Sequence, residues 1–385
     1  MKTKKIFAVM LSLLLLFTVF APAASAETKA EAAHLHFRED GTFRILNFSD
    51  IQDDETLSVC AAAFIRRAVK TYEPDLIVLT GDNIGGYSTE SELETKIAIG
   101  NYMKIFEQLG VPVAIVFGNH DDQDTKLSKE DQMAIYDSYK CSISVDEGPD
   151  VDGCGTYNVP IFASDGSDKV VFNVWMIDSG TYDEENGGYD HIKQSQLDWY
   201  REKSASLAEE NGGPVPSMAF QHIIVPEIFD ALEKTDDAEG AIEWGGSYYK
   251  LPETALPGSI LGETPCPGTV NGGEFEAFKE GGDVLAIVSG HDHVNSFVIP
   301  YEGIDLINTP TCGFSSYGNA ETRGVRIIDL NETDPWTYET EVVTFETLMA
   351  DDIVIMEFAR LRDFFVDLWD RVKETFNKLK DMFSK

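Results

Sequence analysis

Three short apolar runs, Phe43–Phe48, Leu76–Leu79 and Val113–Phe117, alternate with two helical patterns, Leu57–Tyr72 and Ser91–Leu109, which end near Pro74 and at Gly110. Strand, helix, strand, helix, strand specifies a right-handed parallel unit, because two parallel strands are joined by a crossover of at least a dozen residues. Further strand-like runs follow at Val170–Ile177, Ser217–Gln221 and Val284–Val288. The late runs Asp305–Asn308, Val325–Asp329 and Tyr338–Phe345 lack intervening helices, which points to a second, mixed sheet. The order predicts an α/β fold, a four-layer α/β/β/α sandwich of two mixed sheets with helices outside. The Gly/Pro-rich stretch Glu239–Gly273 reads as a surface insertion.

The ends of the chain read differently from this body. Lysines among Met1–Lys5, an apolar run Ile6–Phe20 and a small-residue stretch closing on Ala24-Ser25-Ala26 predict a secretory signal peptide over residues 1–26, cleaved after Ala26. That run falls short of the roughly 20 apolar residues of a membrane span. The expected division is a leader at 1–26, a linker at 27–40, a main domain at 41–348 and a C-terminal amphipathic helix at 349–385, in a secreted or extracytoplasmic protein. In the tail, Phe358, Leu361, Phe365, Leu368, Val372, Phe376, Leu379 and Phe383 recur at helical spacing. Such a face can pack on the body, self-associate or lie on a membrane surface.

Sixty-seven acidic residues against 30 basic ones give a formal net charge of −37, a surface that repels polyphosphate backbones and disfavours polymeric nucleic acid as a partner. Five scattered cysteines form no Cys-x-x-Cys pair. Cys141 and Cys154 bracket a Gly- and Asp-rich loop and are compatible with either a disulfide or two buried thiols. No Gly-x-Ser-x-Gly or His-Glu-x-x-His motif is present, which disfavours a serine hydrolase and a zinc peptidase.

Chemistry concentrates where the strands end. The first closes on Ser49-Asp50, the second on Gly81-Asp82-Asn83 and the third on Gly118-Asn119-His120-Asp121. Later runs close on Gln221-His222 and Gly290-His291-Asp292-His293. Ligand sites of α/β sheets lie beyond the carboxyl ends of strands, so these segments are expected to meet. Carboxylates beside imidazoles, without thiolates, suit Zn, Mn or Fe better than Ca.

These blocks, in this order over Phe43–Phe345, resemble the calcineurin-like metallophosphoesterases. Tyr189-Asp190-His191-Ile192 with Gln196 and Trp199, Gly290–Asn295 and Arg323-Gly324-Val325-Arg326 are similar to the branch related to purple acid phosphatases. The resemblance implies two metal ions (Mn, Fe or Zn) bridged by Asp82. One would also take Asp50 and His293, the other Asn119, His222 and His291. It further implies in-line attack on phosphorus by a hydroxide held between the ions. His120 would assist the leaving group, Asp121 would orient its ring, and Asn119 and His120 would contact the substrate. The implied substrate is a small phosphate monoester; the alternatives are a diesterase on nucleotides or lipid headgroups, or a weakened phosphate-binding protein. One position departs from the family pattern: Gln52 stands where a His, or a Gly with a distant Tyr, is usual. Gln52 offers an uncharged carbonyl oxygen, and Tyr87 is the nearest tyrosine after Asp82. His34, His36, His191 and the Asp178-Ser179-Gly180 turn read as structural or peripheral, and Tyr317 and Arg323 as candidates to face the phosphate.

Overall fold

Strands buried on both faces need continuous apolar runs, and the alternation of side chains divides each run between two cores. The computed structural model, which describes residue 29 and residues 33–123 and 125–364, shows this division. Strands β1 (Leu35–His36), β2 (Thr42–Phe48), β3 (Leu76–Thr80) and β4 (Val113–Val116) open the chain. They are followed by β5 (Tyr157–Phe162), β6 (Val170–Met176) and β7 (Ser217–Phe220). A small sheet of order β8-β10-β9, formed by β8 (Glu233–Thr235), β9 (Ile242–Trp244) and β10 (Ser247–Lys250), precedes β11 (Val284–Ser289), β12 (Phe297–Tyr301), β13 (Ile304–Asn308), β14 (Gly324–Asn331) and β15 (Tyr338–Thr344). One sheet has the order β15-β14-β2-β3-β4, and the other β1-β5-β6-β7-β11-β13-β12. Strands β2, β3 and β4 are mutually parallel, as are β6, β7, β11 and β13.

Between the sheets, Phe43, Ile45, Val78 and Val116 meet Val159, Phe172, Phe220 and Val288. Their neighbours Leu46, Ile77 and Ile115 turn the other way, onto helices α1 (Val59–Tyr72) and α2 (Glu92–Leu109) through Phe64, Ile65, Tyr102 and Phe106. On the far side, Trp175, Ala219 and Ile287 pack on α3 (Gln194–Asn211) and α4 (Glu274–Gly281) through Leu197, Tyr200, Phe275 and Phe278. Three cores separate four layers, the expected α/β/β/α sandwich.

Several details differ from expectation. Strands β5 and β12 carry Pro160 and Pro300, which weaken a strand signal read from sequence; β12 is an edge strand, where a proline is tolerated. Part of the Glu239–Gly273 insertion is ordered as β9 and β10 of a three-stranded sheet. His36 Nδ1 lies 2.9 Å from the Ala163 carbonyl and its ring packs on Phe162, a structural role at a sheet edge. Cys141 and Cys154 are unbridged; Cys60, Cys141, Cys154 and Cys312 are buried thiols, and Cys266 is exposed. Native protein should therefore show one accessible thiol, Cys266, whose reaction with a chromogenic disulfide reagent is slowed because burial and the Asp292 and Glu263 carboxylates push it up to about 12, and five thiols in denaturant. Two fewer in denaturant would contradict the unbridged assignment.

A helix spans residues 353–364. Cys60 Sγ approaches the Ile355 carbonyl at 3.8 Å, and Arg362 donates to the Ser316 carbonyl at 2.7 Å, so this part of the tail docks on α1 and a neighbouring loop. Phe358, Leu361 and Phe364 stay exposed. The leader at 1–26, its cleavage point and tail residues 365–385 lie outside the described residues, as does the side chain of Tyr87. Among the described residues no helix is long and apolar enough to cross a membrane.

Candidate metal centre

Because β2, β3 and β4 run parallel in one sheet and β7 and β11 in the facing one, their carboxyl ends deliver Asp50, Asp82, Asn119, His222, His291 and His293 to one end of the sandwich. All six are buried. The backbone is bent to do this: Asp50, Gln52, Asp82 and His291 hold φ of 52°, 44°, 48° and 72°. Such left-handed values in non-glycine residues cost roughly 1–3 kcal/mol each and cluster at functional sites. Gly118 permits a close approach. A Cβ there would sit 2.2 Å from Asp82 Oδ1, so a side chain would eject the carboxylate.

The donor atoms fall into two groups that share Asp82. Atoms of Asp50, Asp82 and His293 lie within 4.8 Å of one another, and so do atoms of Asp82, His222 and His291. His222 Nε2 is 3.3 Å from Asp82 Oδ2, 3.1 Å from Asn119 Oδ1 and 3.2 Å from His291 Nδ1. On the other side, His293 Nε2 is 3.3 Å from Asp50 Oδ1.

The outer ring nitrogens are already engaged. His222 Nδ1 faces the Thr80 carbonyl at 2.9 Å, and His293 Nδ1 faces the Tyr317 carbonyl at 2.8 Å. An N–H donated outward leaves the inner nitrogen as a lone pair, the usual posture of a metal-ligating histidine. In His222 that lone pair then meets a carboxylate, an amide oxygen and a second imidazole nitrogen, four acceptors facing one another. Only a proton or a cation reconciles them. Burial opposes a charge on His222, yet the Asp82 carboxylate lifts it to about 9. Burial and His222 push His291 down to about 3. Asp50 Oδ1 and Gln52 Oε1 are buried without a hydrogen-bond donor. Asp50 Oδ2 is fixed by Ser49 Oγ at 2.5 Å and the His291 N–H at 3.1 Å, so Oδ1 is the oxygen left for a ligand. This donor set fits two cations.

Gln52 reaches the same centre in another way from that expected. Its Nε2 donates to Asp82 Oδ2 at 3.0 Å, an N–H on the shared carboxylate, while its Oε1 stays buried without a donor. His120 sits at the mouth, partly exposed, with its backbone N–H on Asp82 Oδ1 at 2.7 Å and its ring Nε2 3.9 Å from Asp82 Oδ2. The Asp121 carboxylate faces inward to the scaffold. It accepts N–H groups of Gly118 at 2.8 Å, Ile84 at 3.0 Å and Asn83 at 3.2 Å, tying the Asn119 loop to the Asp82 loop. Burial and the Asp82 charge push it up to about 7, against the pull of those three donors.

The rim holds residues that sequence periodicity does not mark. Tyr189 meets His291 edge-on at 4.3 Å and stacks on Tyr182. Tyr317 lies flat on His293 at 4.0 Å, and its hydroxyl donates to Glu263 at 3.0 Å. Glu263 also accepts the Val294 N–H, and the Cys266 N–H donates to Asp292, so the insertion forms one wall of the centre. Asp178 is bound to Lys129 Nζ and the N–H groups of Cys154 and Gly180, a structural turn. Arg323 is buried, donating to the Gly313 carbonyl under the Phe314 ring.

The family model for calcineurin-like phosphoesterases matches residues 43–295, which span every donor named above. The chain belongs to this family. Among curated relatives, "Probable inactive purple acid phosphatase 28" of Arabidopsis thaliana is 30% identical over 331 residues, 77% of each chain. "Probable inactive purple acid phosphatase 14" of the same plant is 28% identical over 330 residues, again 77% of each. Phosphatase DCR2 of Saccharomyces cerevisiae is 25% identical over 366 residues, 86% of this chain and 58% of that protein. The two plant relatives support the purple-acid-phosphatase-related branch within the family.

Proposed function

We propose that this calcineurin-like phosphoesterase is an exported two-metal hydrolase of small phosphate monoesters. The observation that carries the reading is Asp82, one carboxylate shared by two separate groups of buried donor atoms. Asp50 and His293 would complete one ion's protein ligands; Asn119, His222 and His291 would complete the other's. Two ions held there would neutralise phosphate oxygens and lower the pKa of bound water. The chain's own part is to orient and protect. Thr80 and the Tyr317 carbonyl fix the ring tautomers, Gln52 and the His120 N–H hold the Asp82 carboxylate, and Tyr189 and Tyr317 shield the centre on two sides. His120 is the one partly exposed imidazole beside the donors and is placed to give a proton to a departing alkoxide. The N-terminal leader read from the sequence supports export.

Gln52 favours a second reading, a protein that binds phosphate with little turnover, and the word inactive in two relatives' names agrees with it. The test is hydrolysis of p-nitrophenyl and bis-p-nitrophenyl phosphate by metal-stripped protein resupplied with Mn, Zn or Fe. Metal-dependent turnover favouring the monoester is the expected result. Preference for the diester would reassign the substrate class, and metal uptake without turnover on either would establish the second reading.

Gln52→His offers a finer check. Imidazole is the stronger ligand and removes the N–H held on Asp82, so the first ion should bind on the order of ten- to a hundredfold tighter. Unchanged affinity by calorimetry would place residue 52 outside the coordination shell.

A further inference from the structure

Beside the His222 loop lies a small cavity of about 20 Å³, lined by residues that include Gln221, Glu227, Asn271, Glu274 and His191. That is room for a single water or a single ion. We infer that this cavity is a cation site with all-oxygen donors, built to take one calcium ion between Gln221, Glu227 and Glu274.

The argument is a count of donors and acceptors. Gln221, Glu227 and Glu274 are 1%, 9% and 6% exposed. Each keeps one buried side-chain oxygen without any hydrogen-bond donor: Gln221 Oε1, Glu227 Oε2 and Glu274 Oε1. The nearby amide donors are spent. Asn271 Nδ2 is on Glu227 Oε1 at 2.6 Å, and Gln221 Nε2 is on the Ile223 carbonyl at 2.8 Å and Glu274 Oε2 at 3.3 Å. His191 Nδ1, 3.2 Å from Asp190 Oδ1, is itself buried without a hydrogen bond. A water brings two hydrogens to three orphaned oxygens and offers no counter-charge to the buried carboxyls, a costly arrangement once they ionise. A divalent cation satisfies the oxygens and the charge together. Calcium takes oxygen ligands from carboxylates, amide carbonyls and water with tolerant geometry, whereas the imidazole-rich centre that includes His222 suits softer ions. Burial, reinforced by Glu227, pushes the Glu274 carboxyl up to about 8, so at neutral pH a cation entering here displaces its proton.

The placement gives such an ion a task. Gln221 immediately precedes His222, Glu227 lies in the loop that follows it, and Glu274 opens α4 where the insertion ends. One ion would pin the insertion to the loop that carries His222. The site stands apart from the shared Asp82, so its test can be separated from that of the hydrolase reading.

The test is calorimetric titration of calcium into zinc-loaded full chain, with thermal unfolding as a second readout. Zinc-loaded wild type and Asp82→Ala without zinc, the latter checked for folding by circular dichroism, should both bind one calcium per chain and melt at a higher temperature with it. Glu274→Gln and Glu227→Gln, each checked for folding by circular dichroism, should bind calcium at least tenfold more weakly and lose the thermal shift. Calcium uptake that survives both Glu variants but vanishes in Asp82→Ala would assign the ion to the other centre and overturn the inference. Calcium-independent melting, with Glu274→Gln as stable as wild type or more so, would overturn it in favour of a protonated carboxyl or a single water.

Discussion

Replacing Asp82 with Ala is expected to abolish cooperative uptake of two metal ions and to lower kcat/KM for phosphate monoesters by at least about a thousandfold, roughly 4 kcal/mol of transition-state stabilisation. The effect should exceed that of any other single donor, because only Asp82 belongs to both groups of ligand atoms. Loss of Asp50 or His293 spoils one position, and loss of His222 or His291 spoils the other. Removing Asp82 also strips acceptors from Gln52 Nε2 and the His120 N–H and leaves buried donors unsatisfied, at about 1–3 kcal/mol each. Asp82→Asn is therefore the companion variant. It keeps the shape and one acceptor oxygen, so its fold should hold while metal stoichiometry and turnover fall. Metal analysis and steady-state kinetics on the two variants check this. A near-normal rate in Asp82→Asn would show that the carboxylate does not bridge.

His120→Ala should slow hydrolysis by about 10²–10⁴-fold for alkyl phosphates, within the range of general acid–base catalysis, and by much less for p-nitrophenyl phosphate. A p-nitrophenolate departs without help, whereas an alkoxide needs a proton. Metal content should be unchanged: His120 touches Asp82 mainly through its backbone N–H, which alanine retains, and its ring is outside both donor groups. Equal slowing for both leaving groups would assign the ring to charge stabilisation or substrate binding instead.

How far the sequence could be read depends on how locally each feature is encoded. Runs such as Leu76–Leu79 are apolar at every position because both faces are buried, so the central strands announce themselves. A parallel strand places whatever follows it at the carboxyl edge, which is why Asp50, Asp82, Asn119, His222, His291 and His293 could be named together before any contact was seen. Pairwise geometry is not encoded that way. That Gln52 donates its N–H to Asp82 depends on a side-chain torsion and on a left-handed backbone at residue 52. Asp121 lies next to His120 in the chain, but the helical turn at Asn119–Asp122 points its carboxylate at Gly118, Asn83 and Ile84. Glu263 and the Gln221–Glu227–Glu274 cluster meet only through tertiary packing and leave no trace in periodicity.

The measurement that bears most directly on the two-ion account is anomalous diffraction from crystals of protein loaded with zinc or manganese. Two peaks roughly 3.5–4 Å apart, one beside Asp50 and His293, the other beside Asn119, His222 and His291, with Asp82 between them, is the predicted result. A single peak, or two peaks that do not share Asp82, would contradict it.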